Sequence, residues 1–204
     1  NGTTILQGGW TMDPGWWSEK SKTFTKSGEV ATGDVGSPTV NSWPTPKISE
    51  ASASLSSDTL TLTKLGTSTT QSTTLTVSGI KDQYGVNWTG STNVTFSLSA
   101  GEGITLGTKA TITDNGSNAT ITVTPEFQTL FKNQASARLT ASWNVNSNAK
   151  FGNEAITVNF PTYDITFDAN GGKIGPNENA GADTVSVTGK KYGEVIGSSP
   201  AYRG

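Results

Sequence analysis

The run Asn93-Val94-Thr95-Phe96-Ser97-Leu98-Ser99 alternates polar and apolar residues without a break. A period of two is the side-chain spacing of a strand, not of a helix. Val94, Phe96 and Leu98 therefore share one face, and hydroxyl and amide groups take the other. Residues 74–78 repeat the pattern with Leu75 and Val77. A strand that is apolar on one side must cover that side with a second layer, so the chain is expected to be all-β, an antiparallel sandwich. The same reading places further strands at 59–63, 73–78, 92–99, 103–106, 110–113, 119–124, 137–145 and 155–160. Asp82-Gln83-Tyr84-Gly85 and Asp114-Asn115-Gly116-Ser117 supply turn chemistry between strands: Asp bonds nearby backbone and Gly accepts positive φ. Residues 125–133 read as one short helical turn across the end of the sandwich. The expected core is Leu62, Leu75, Val77, Val94, Phe96, Leu98, Ile112, Ile121, Val123, Leu139, Ala141, Trp143, Ile156 and Val158.

Only 32% of the 204 residues are hydrophobic and 15% charged, with Thr, Ser, Asn and Gly making up the difference. Disordered chains share the low hydrophobicity but lack regular alternation and usually carry a large net charge; here it is −2. Nothing basic enough to neutralise phosphates is present, so nucleic acid is not an expected partner. Cysteine and histidine are both absent. That removes disulfides, thiolate metal sites and the usual nucleophilic triads. The carboxylates are scattered and mostly in turns, so no enzyme, no cofactor and no metal site is expected. Asp168-Ala169-Asn170-Gly171-Gly172 has a calcium-loop look but lacks a later acidic ligand at workable spacing, and reads as a turn. No apolar run is long enough to span a membrane.

The organisation is tripartite. Residues 1–47 form a Trp-rich β segment broken by Gly and Pro, the end of an upstream domain or a small docked hairpin unit. Trp43-Pro44-Thr45-Pro46 is stiff and extended, because each proline restricts itself and its predecessor. Residues 48–161 are the sandwich and 162–204 a third, smaller β unit. In the first segment, Trp10, Trp16 and Trp17 lie beside Gln7, Asp13 and Glu19. Exposed indoles stack on sugar C–H faces, and amide or carboxylate neighbours orient the hydroxyls. Trp10, Trp16, Trp17, Gln7 and Asp13 are thus candidate ligand-binding residues for a polysaccharide or a cell-surface glycan. The alternative is that these rings are packing residues, as large aromatics usually are.

Two resemblances bear on function. The stretch 51–160, with Asp82-Gln83-Tyr84-Gly85 followed by Trp88, resembles the bacterial Ig-like repeats of surface proteins. Residues 163–172, Tyr-Asp-Ile-Thr-Phe-Asp-Ala-Asn-Gly-Gly, with Tyr192-Gly193 some twenty residues on, resemble the opening of the Listeria–Bacteroides (internalin B-type) repeat. That family's Gly-Trp-Tyr closing segment is absent, which predicts a partial β-grasp-like unit. The resemblances imply an Ig-like fold in an extracellular or cell-surface bacterial protein, with other domains of the same chain as partners. The implied role is adhesion or spacing, or alternatively a carbohydrate-binding accessory region of an extracellular glycan-degrading protein.

Overall fold

A computed structural model describes residues 45–175, 181–197 and 202–203. The chain divides into two compact units, Asn1–Pro46 and Lys47–Gly204. The first lies almost wholly outside the described residues.

The second unit is built from strands because its apolar side chains recur every second residue. Its sandwich strands are β1 (Ile48–Leu55), β2 (Thr59–Thr61), β3 (Gln71–Asp82), β4 (Val94–Ser99), β5 (Ala110–Asp114), β6 (Asn118–Val123), β7 (Ser136–Val145) and β8 (Lys150–Asn159). They form two four-stranded sheets, ordered β1-β3-β6-β5 and β2-β8-β7-β4. All pairings are antiparallel except β2 with β8, which run parallel over Thr59–Thr61 and Thr157–Asn159. Strands one, two, five and four of an Ig domain make one sheet and three, six and seven the other. The observed order is that topology, with a short first-strand extension (β2) crossing to the second sheet. The fold is an Ig-like antiparallel β-sandwich.

Its core is a single apolar layer. Leu75, Ile121, Val123, Leu139, Ala141, Val145, Ile156 and Val158 are fully buried, and Leu62, Val77, Val94 and Trp143 nearly so. Phe96, Leu98 and Ile112 are only half-buried. The physical reason is position: β4 and β5 are edge strands, where the opposite sheet covers less of an inward side chain. Trp143 pairs across β4 and β8 with Phe96 and Gly152. Its ring occupies the space a Gly152 side chain would fill, since a Cβ there would lie 2.7 Å from Cζ2. The Trp143 Nε1 donor is buried without a hydrogen-bond partner.

Three expectations need correction or refinement. Residues 103–106 are not a strand: Gly101, Gly103 and Gly107 have φ of 104°, 76° and 55°, which coils the segment instead of extending it. The strand Ile48–Leu55 has no counterpart among the expected strands. And the Asp82–Gly85 turn does not join neighbours in one sheet. Asp82 Oδ1 accepts from the Tyr84 and Val86 amides at 2.9 and 3.0 Å, and Gly85 sits at φ 76°. The returning chain makes one bridge, Lys81 with Asn87, and then crosses to the second sheet.

The helical turn expected at 125–133 is a 3₁₀ segment, Pro125–Leu130. It plugs one pole of the sandwich with Phe127, fully buried, whose ring lies 5.1 Å from Phe131 and 6.1 Å from Phe160. Beyond that pole β9 (Tyr163–Asp168) and β11 (Thr184–Lys190) pair antiparallel, and β10 (Lys173–Ile174) pairs with β12 (Tyr202–Arg203). Asp168 Oδ1 accepts from its own turn, the Asn170 amide, at 2.7 Å. Tyr163 fastens β9 to the pole: its hydroxyl donates to Gln128 Oε1 at 2.6 Å and accepts from the Leu65 amide at 3.1 Å. The Asn133 amide donates to the Tyr192 carbonyl at 2.8 Å.

Candidate functional site

The candidate residues Gln7, Trp10, Asp13, Trp16 and Trp17 lie outside the described residues. Among the described residues no group of three His, Cys, Asp or Glu side chains is close enough to hold a metal. No helix there is long and apolar enough to cross a membrane.

What the described residues do bring together is a patch on the outer face of the second sheet. Residues directly opposite on neighbouring strands point the same way. The register therefore lays out two rows across β4, β7 and β8: Thr95, Asn144 and Phe151 in one, Ser97, Ser142 and Asn153 in the other. With strands about 4.8 Å apart and two residues rising about 7 Å, this grid is about 10 Å by 7 Å. It floors a shallow concavity of about 300 Å³. None of the lining side chains is charged. Phe151 stands out from it, 68% exposed.

The β7–β8 turn forms one wall. Asn146, Ser147 and Asn148 have φ of 47°, 54° and 81°, three left-handed residues in succession and none of them glycine. Such residues cost of order 1–3 kcal/mol each and persist only where surroundings over-determine them. Here they do. Asn144 Oδ1 accepts from the Asn148 amide at 2.6 Å, and its Nδ2 donates to Asn148 Oδ1. Asn146 is held to the segment before β4: its Oδ1 accepts from the Asn93 amide at 2.6 Å and its Nδ2 donates to the Ser91 carbonyl at 3.1 Å. The turn thus fixes Asn148 at the rim of the concavity. A second depression, of about 350 Å³, lies between Gly66–Thr70 and Thr124–Glu126, with Thr124 Oγ1 buried and unpartnered.

Phe151 was legible in principle. Extending the inward phase of Val158 and Ile156 back along β8 reaches Gly152 and puts Phe151 outside. An aromatic at that phase, beside Asn-rich neighbours, was the signal.

No protein-family model matches the chain, and no curated protein does. Solved structures that align include a chimeric titin Z1Z2 at 7% identity, covering 57% of this chain and 96% of that one, with a TM-score of 0.32. Domains 4 and 5 of the S-layer protein SbsC align at 19% identity over 56% of this chain and 46% of that one, TM-score 0.27. The major pilin subunit of Bacillus cereus aligns at 11% identity over 71% and 57%, TM-score 0.26. The alignments span about half the length of the S-layer and pilin chains. At these scores they carry no argument, and the Ig-like assignment rests on the strand order.

Proposed function

We propose that this chain is a non-catalytic module of a bacterial extracellular or cell-surface multidomain protein, with the sandwich acting as a spacer in an adhesive stalk. One observation carries the reading. The parallel pairing of β2 with β8 means that the extension of the first strand and the last strand of the sandwich run the same way, so the chain enters at one pole and leaves at the other. Successive domains then stack end to end. At the exit pole the Tyr163 hydroxyl bridges Gln128 and Leu65, which limits bending between the sandwich and residues 162–204, the partial repeat of our reading. Tension applied through the two poles would shear β2 along β8. Their three paired residues, with the Leu62 amide on the Asn159 carbonyl and the Thr157 amide on the Asp58 carbonyl, would then bear load together. The Ser-, Thr- and Asn-rich composition suits exposure outside the cell, and the two family resemblances point the same way.

Single-molecule stretching of tandem copies of the 204-residue chain tests this. A discrete high-force unfolding event for each copy, weakened by Leu60→Pro at the parallel pair, is the expected result. Gradual unravelling at low force, or a force unaffected by that substitution, would refute the spacer reading.

A further inference from the structure

We infer that the outer face of the β4-β7-β8 sheet, centred on Phe151, is a binding site for a neutral glycan. The inference goes beyond the spacer reading, because a spacer needs no ligand, and the two stand or fall separately. Outward positions on the sandwich strands are otherwise filled by small or polar side chains: Ser72, Thr74 and Thr76 on β3, Thr120 and Thr122 on β6, Thr140 on β7. A threonine at 151 would serve the pleat as well. The chain instead places a phenyl ring there, 68% exposed, where it forgoes most of the stabilisation that burial would give it.

The surroundings specify the chemistry of the occupant. A flat apolar face stacks on the C–H face of a sugar. Asn144, Asn148 and Asn153 offer amide donors and acceptors around it, and Ser97, Ser142 and Thr95 offer hydroxyls. Sugars display both donors and acceptors, so a mixed ring of amides and hydroxyls pairs with them where a ring of one sign would not. The lining has no charge, although the chain carries 14 Lys and Arg and 16 Asp and Glu. Polyanionic glycans, nucleic acid and anionic membrane surfaces all call for cations here and find none. One exposed aromatic among amides and hydroxyls also lacks the cluster of aromatic and apolar side chains that forms the core of a protein–protein interface. The left-handed turn at 146–148 adds preorganisation. Its Asn144–Asn148 pairing fixes a polar rim before any ligand arrives, so less freedom is lost on binding.

The test uses the full chain, titrated with neutral hexose oligosaccharides (β-1,4-gluco-, β-1,4-manno- and α-1,4-gluco-hexamers) and with polygalacturonate as the charged comparison. Amide chemical shifts and calorimetry are the readouts. At least one neutral hexamer should shift resonances within 95–97, 142–144 and 151–153. Phe151→Ala should weaken binding tenfold or more at an unchanged melting temperature, while Phe151→Trp should preserve it. Three results would overturn the assignment: no neutral hexamer bound, binding retained in Phe151→Ala with shifts confined to residues 1–44, or binding of polygalacturonate alone.

Discussion

Adding a single methyl group at Gly152 tests the packing of the sandwich most sharply. A Cβ there would meet Trp143 Cζ2 at 2.7 Å, Cε2 at 2.8 Å and Nε1 at 3.0 Å. Carbon–carbon contacts are comfortable at about 3.5–4.0 Å, so the ring must withdraw by about 1 Å. It has little room, being 6% exposed in a layer with Ala141 and Val145, both fully buried. Overpacking of this kind costs about 1–3 kcal/mol. Against it stands the loss of a glycine from a strand, worth about 0.5–1 kcal/mol in favour of alanine, because Gly152 is not among the positive-φ residues. The net expectation for Gly152→Ala is a loss of about 1–2 kcal/mol, or about 2–8 °C in melting temperature for a domain of this size. Trp143→Leu alone should cost about 2–5 kcal/mol through lost burial. In that background the added methyl has space, so the second substitution should become neutral or slightly stabilising. Urea denaturation followed by far-UV circular dichroism on the four proteins closes the cycle, with a coupling of about 1.5–2.5 kcal/mol. If Gly152→Ala is harmless in the wild type, or costs the same in the Trp143→Leu background as in the wild type, the ring does not lie over Gly152 and the pairing is wrong.

Two further outcomes follow from the contacts at the exit pole and beyond. Tyr163→Phe removes the hydroxyl that joins the fully buried Gln128 to the Leu65 amide and should cost about 1–3 kcal/mol, measured by the same denaturation; an unchanged midpoint would show that the two parts are not coupled there. Glu194 is held below the ordinary carboxylate range, first by the Lys191 backbone amide and then by the Lys190 ammonium. A depressed folded-state value means the contribution is present above the unfolded value and fades as pH falls through the folded one. A carbon-detected pH titration should therefore place the Glu194 midpoint below the other exposed glutamates, and Lys190→Met should raise it only part of the way. Full return to the ordinary range would make the lysine, not the amide, the main cause.

The sequence made the two-layer architecture legible because burial in a sandwich has the same period as the backbone. Leu75 and Val77, or Leu139, Ala141 and Trp143, declare their face locally. β1 does not. Its inward residues include Ala51 and Ala53, too small to mark a phase, and register shifts between Ile48 and Glu50 and between Glu50 and Ser52 break the alternation. The route after Asp82 was equally hidden. Turn chemistry shows that the chain reverses, but the crossing to β4 is fixed by partners far along the chain, such as Asn146 for Asn93. Residues 103–106 failed for the opposite reason: the glycines that look permissive in a strand are there to be left-handed.

Low hydrophobicity and a firm core are compatible here for a geometric reason. Each sheet buries one face and gives the other to water, so at most every second strand residue need be apolar, and the connections need only a few, such as Leu62 and Phe127. A hydrophobic fraction of 32% over the whole chain is then compatible with the firm core of the described sandwich. The same geometry sets how each exception should be read. An inward polar group costs stability unless it is paired; Gln128 is paired, by Tyr163 and by the Pro125 carbonyl at 2.7 Å, whereas Trp143 Nε1 and Thr124 Oγ1 are not. An outward apolar group has no such obligation to the fold. Phe151 keeps most of its ring in solvent, and it is the uncharged amide and hydroxyl surround, more than the exposure, that supports the glycan assignment.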